Sequence, residues 1–147
     1  MASRSLSAAW IIMLVVGIIT LIFGFMITFS PQAMLSIAYE SFTGNNWNLF
    51  VTATPKTVDF LLLNGTIFGL HTLVMGILFV SIAILGFRSG QRWAWYTLLV
   101  AATLTCVSDA IIMWTLGLTP LVIGNVVFLS LAYIALGISA KPILSKK

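Results

Sequence analysis

Charged residues leave long gaps along this chain. No Asp, Glu, Lys or Arg occurs in residues 5–39, 60–87, 93–108 or 110–140. Crossing the hydrocarbon core takes about 20 consecutive apolar residues in a helix. Backbone N–H and C=O groups cannot stay unpaired in lipid, so each run must be helical or belong to a closed barrel. A barrel needs apolar and polar residues alternating with period two, and no such alternation is visible. The pattern therefore predicts an all-α, polytopic membrane protein: an antiparallel four-helix bundle forming one domain over 1–147. Its helices are expected at about 8–29, 59–87, 94–117 and 119–139, with one long outer loop at 30–57. Arg4 before an apolar run has the look of a secretory signal. The run is too long for one, and Phe29-Ser30-Pro31-Gln32 offers no small-residue cleavage site, so the first segment is read as a retained helix.

Composition agrees with this reading. Hydrophobic residues make up 61% and charged residues 7% of the chain, and the mean hydropathy is +1.14. Soluble domains carry about 25% charged residues, so this chain could not cover its surface in water.

The net charge of +4 reports orientation rather than nucleic-acid binding, because the cations sit at helix ends. With the N-terminus inside, Arg4, Arg88, Arg92, Lys141, Lys146 and Lys147 are all cytoplasmic, and Lys56 alone lies outside. Short loops are where the positive-inside rule holds best. The expected location is the cell (plasma) membrane, with both ends cytoplasmic.

Within the outer loop, Ser30-Pro31 reads as an N-cap and first-turn pair. Residues 32–42 read either as a short interfacial helix or as a loop packed over the helix ends, and Thr43-Gly44-Asn45-Asn46 as a turn. Trp47 is placed at headgroup level. Leu116–Pro120 is so short that the third and fourth helices must be antiparallel neighbours. Small residues mark the expected packing seams, as lipid-embedded helices associate by close approach. They are Gly17, Thr20, Gly24 and Thr28 on the first helix and Gly65, Gly69, Thr72 and Gly76 on the second.

The hairpin between the second and third helices runs Arg88-Ser89-Gly90-Gln91-Arg92-Trp93-Ala94-Trp95-Tyr96. Gly90 permits a tight turn, and Arg88, Arg92, Trp93 and Trp95 are expected to anchor lipid headgroups. This hairpin, with a glycine-bearing first helix ending at a proline, resembles small uncharacterised four-helix prokaryotic membrane proteins, DoxX-like proteins being the nearest named group. The resemblance covers layout and hairpin and transfers no functional residue.

Candidate chemistry is sparse. Cys106 is the single cysteine, which excludes an internal disulfide. GxSxG, HExxH, CxxC, P-loop and GxGxxG motifs are all missing, so no cofactor and no metal is expected. Asn64-Gly65-Thr66 spells a glycosylation sequon, but inside a membrane helix it is unused. Ionisable residues within the membrane are functional candidates by default. His71 and Asp109 qualify, with Asn64 and Asn125 as uncharged companions. At about 1.5 Å per residue, His71 lies roughly 17 Å, Asp109 roughly 12 Å, Asn125 roughly 9 Å and Asn64 roughly 8 Å from the outer surface. All four are thus expected around one outer-leaflet pocket for a ligand or proton, with His71 and Asp109 close enough to interact. The bland alternative is that they only hydrogen-bond neighbouring helices or a partner subunit.

Three functions fit. First comes a non-catalytic subunit or scaffold of a membrane assembly. The alternatives are a proton-coupled small transporter or channel using Asp109 and His71, and a membrane enzyme or binder acting on a hydrophobic small molecule or lipid. Expected partners are membrane lipids together with a second copy or other membrane subunits, and no nucleic acid.

Overall fold

The computed structural model describes residues 4–145, apart from the side chains of residues 4 and 119–121. The tail cations Lys146 and Lys147 fall outside the described residues. Six α-helices follow in order: α1 (Arg4–Phe29), α2 (Pro31–Thr43), α3 (Trp47–Ala53), α4 (Pro55–Ile82), α5 (Arg92–Thr115) and α6 (Thr119–Leu144), with one π-helical turn at Ala83–Phe87 after α4. Among the described residues there is no strand, and the all-α helical bundle expected from the charge gaps is the fold class found.

Four stretches are long and apolar enough to cross a bilayer: Ser5–Phe29, Pro55–Phe87, Arg92–Thr115 and Val122–Leu144. This is a small integral membrane protein of the multi-pass kind. The second stretch has 33 residues, about 50 Å of helix against a core of about 30 Å. Its first five residues, with Lys56 and Asp59 among them, lie ahead of the charge-free run that begins at Phe60.

The chain folds as two compact units, one of residues up to Ile19 and from Ile77 onward, the other Thr20–Gly76. In Thr20–Gly76, the seam between α1 and α4 is built on glycine. A Cβ on Gly24 would stand 2.3 Å from the Leu73 nitrogen, one on Gly69 2.5 Å from the Thr28 nitrogen, and one on Gly76 2.5 Å from the Leu21 nitrogen. Real side chains do not tolerate such distances, so backbone lies directly on backbone. Gly65 instead faces α2, with the Leu35 Cδ1 3.1 Å from a Cβ placed there.

The connection between α1 and α4 is more ordered than a loop. Ser30 stands at the N-cap of α2 with Pro31 in the first turn, although the Ser30 side chain makes no capping bond. Gly44 ends α2 in the left-handed region at φ +68°, where glycine is unstrained. Asn46 then caps α3, its Oδ1 accepting from the Asn48 N–H at 2.8 Å. Trp47 is buried and packs against Tyr39 and Phe50, with ring centroids 5.5 and 5.6 Å away.

In the other unit, α1 buries Leu6, Ala9, Met13 and Val16, and α5 buries Ala94, Leu98, Ala102 and Cys106. Both are stripes at helical spacing. On α6 the buried stripe is Ala132, Ala135, Leu136, Ser139 and Ile143. The turn between α5 and α6 is closed by Gly117 at φ +71°, with the Leu118 N–H donating to the Met113 carbonyl at 2.9 Å, a Schellman closure. The π-helical turn brings the Arg88 N–H onto the Ala83 carbonyl at 2.9 Å, and Gly90 at φ +70° reverses the chain into α5.

Candidate functional site

The four candidate polar residues divide between the units. Asn64 and His71 belong to Thr20–Gly76, and Asp109 and Asn125 to the other.

On α4, Asn64 and His71 lie seven residues apart and therefore on one face. The glycine seam does not use that face. Phe60, Asn64, Ile67, His71 and Val74 form an exposed stripe, nearly half a turn round the helix from Gly65, Gly69 and Gly76. Asn64 satisfies itself locally, its Nδ2 donating to the Phe60 carbonyl at 2.8 Å. The His71 imidazole has no hydrogen-bond or ion-pair partner among the described residues.

Asp109 and Asn125 are brought level by the α5–α6 hairpin, eight residues to either side of Gly117. That places each about 12 Å from the turn. Two bonds fix the register of this hairpin. The Trp95 indole N–H donates to the Leu136 carbonyl at 3.0 Å, and the Thr103 and Tyr133 hydroxyls lie 2.8 Å apart. Because Thr103 donates to the Leu99 carbonyl at 2.7 Å, Tyr133 is the donor in that pair. Asp109 continues the buried stripe of α5 one turn beyond Cys106, and Asn125 extends the stripe of α6 in the same direction. Both side chains are half-buried. The Asn125 Oδ1 is buried with no hydrogen-bond partner among the described residues, which leaves an acceptor level with a carboxyl group. Protonated, that carboxyl would be a donor; ionised, it would be an acceptor only.

The hairpin cations and aromatics do several different things. The Arg88 guanidinium lies 5.0 Å from the centre of the Trp10 ring, a cation–π contact. The Trp93 indole N–H bonds the Gln91 side chain, and the Trp93 ring lies against Gly86, 2.6 Å from a Cβ placed there. Trp93 and Tyr96 remain exposed, whereas Trp95 is engaged with α6. At Gly17 a Cβ would meet the Val80 backbone nitrogen at 3.0 Å.

Among the described residues no group of three His, Cys, Asp or Glu side chains is placed to hold a metal ion. The chain matches no family model, no curated protein and no solved structure. Its functional reading rests on the geometry above.

Proposed function

We propose that this protein is a non-catalytic subunit, or scaffold, of a membrane assembly, and that it joins the assembly through the His71 stripe of α4. The carrying observation is the exposed, unpartnered imidazole within a membrane-length helix. Hydrocarbon supplies no hydrogen-bond partner, so polar side chains in membrane helices turn toward protein or a water-filled space. A second transmembrane helix laid on this stripe gives His71 its partner and covers Asn64. In the same reading the protein sits in the plasma membrane with both ends and the Arg88–Arg92 hairpin in the cytoplasm, by its distribution of cations.

Cross-linking in native membranes tests this. With Cys106 replaced by Ala, single cysteines at Ile67 and Val74 flank His71 on the stripe, and one at Leu104 marks the exposed side of α5. The reading expects bis-maleimide adducts to a second chain from Ile67→Cys and Val74→Cys, weakened by His71→Ala, and none from Leu104→Cys. Adduct mass distinguishes a second copy from a foreign subunit. No adduct from the α4 positions, with purification as a lone chain, overturns it.

A second reading is favoured by the orphaned Asn125 Oδ1 level with Asp109. Here the α5–α6 hairpin carries a proton-binding carboxyl and the assembly moves a solute with protons. Reconstituted vesicles would then show proton flux that Asp109→Asn abolishes while the protein stays folded.

A further inference from the structure

The α1–α4 connection holds an open cleft of about 670 Å³, lined by the apolar Phe29, Pro31 and Leu62 and by the polar Ser36, Glu40 and Asn48. Trp47, which is 4% exposed, also lines it. We propose that this cleft binds an organic ammonium group, carried by a phospholipid headgroup or by a free amine, on the Glu40 carboxylate. Neither reading of function given above depends on it.

Three observations converge on Glu40. First, the carboxylate is held in place: its Oε1 accepts the Trp47 backbone N–H at 2.9 Å. Trp47 in turn is fixed by Tyr39 and Phe50. Second, the charge is uncompensated. The protein carries seven Lys and Arg against three Asp and Glu, yet no cation pairs with Glu40 among the described residues, and its second oxygen takes no hydrogen bond. Third, the surroundings suit an amphiphile. A carboxylate accepts charge-assisted hydrogen bonds from an ammonium group, the Ser36 hydroxyl oxygen, which donates to the Ala33 carbonyl at 3.0 Å, and the Asn48 side-chain oxygen can accept beside it, and Phe29 and Leu62 offer apolar surface to attached carbons. A divalent metal fits less well, because it needs several oxygen ligands and the cleft has one carboxylate.

The test is native mass spectrometry of the purified full chain with phosphatidylethanolamine and phosphatidylglycerol of identical acyl chains. Wild type is expected to retain the amine lipid roughly tenfold more than the glycerol lipid, as one charge-assisted hydrogen bond allows. Glu40→Gln keeps an oxygen for the Trp47 N–H but loses the charge, and should bring the two lipids to parity. Ser36→Lys, one turn before Glu40 on α2, places a cation in the cleft and should do the same without touching the Trp47 bond. Competition with free ethanolamine separates the sources. Displacement of the lipid by millimolar ethanolamine identifies the amine alone as sufficient, and resistance to it identifies the headgroup with its lipid. Equal retention of both lipids by wild type, or a preference that survives both variants, overturns the proposal.

Discussion

Gly24 and Leu73 meet so closely that a Cβ on the glycine would stand 2.3 Å from the leucine's backbone nitrogen. Small residues at such seams take the place of the hydrophobic effect, which contributes nothing between two helices already in lipid. Gly24→Ala must push α1 and α4 apart, and the expected loss is about 1–3 kcal/mol, read as a lowered midpoint of unfolding in mixed detergent. Gly124 on α6 is the control, with nothing within 4 Å of a Cβ placed there. Gly124→Ala should leave the midpoint unchanged or raise it. Equal effects of the two changes would contradict the seam.

Gly117 isolates a different cost. A Cβ there meets nothing within 4 Å, but φ is +71°. Gly117→Ala should therefore destabilise through the backbone alone, by about 1–2 kcal/mol. Restoring the stability with D-alanine, introduced by semisynthesis, would identify the left-handed conformation as the cause. Failure of the D-residue to rescue would point to another.

The Thr103–Tyr133 hydroxyl pair is expected to couple α5 to α6. A double-mutant cycle of Thr103→Val and Tyr133→Phe should give an interaction energy of roughly 0.6 kcal/mol, the usual scale for interhelical hydrogen bonds in membranes. Additive single effects would mean that the two hydroxyls do not bond in the membrane.

At Asn125 the buried, unpaired Oδ1 makes a substitution informative. Asn125→Leu removes a buried acceptor without a donor and should leave stability unchanged or raise it. Loss of more than about 1 kcal/mol would show that this oxygen is bonded in the native assembly. Loss of proton flux with stability intact would favour the transport reading.

Much of the architecture is visible in the amino acids because the bilayer constrains it so strongly. Charge-free runs mark the four crossings, and Pro31 and Gly44 punctuate α2 as their chemistry requires, while Ser30 holds the N-cap position without a capping bond. Helix limits are less visible. The α4 helix starts at Pro55 rather than about 59 because Thr54 takes the N-cap position, its carbonyl accepting the Val58 N–H at 3.1 Å. The α6 helix runs through Pro142 to Leu144, where the lysines suggest an earlier end. The α3 helix follows a turn and has only seven residues; its one signal is Asn46 at the cap. The placement of Asp109 level with Asn125 follows from the short turn at Gly117 and could be counted along the chain. The exposure of His71 could not. The α4 helix is apolar nearly all round, so its residue types do not distinguish a lipid-facing side from a packed one. The tie from Trp95 to the Leu136 carbonyl joins positions 41 residues apart and has no local signature.

The reading of four crossings with a cytoplasmic hairpin is tested most directly by cysteine accessibility in intact cells, in a Cys106→Ala background. Asn45→Cys and Leu116→Cys should react with a membrane-impermeant maleimide added outside, and Ser89→Cys should react only after the membrane is opened. Labelling of Ser89→Cys from outside, or protection of Asn45→Cys, would contradict the account.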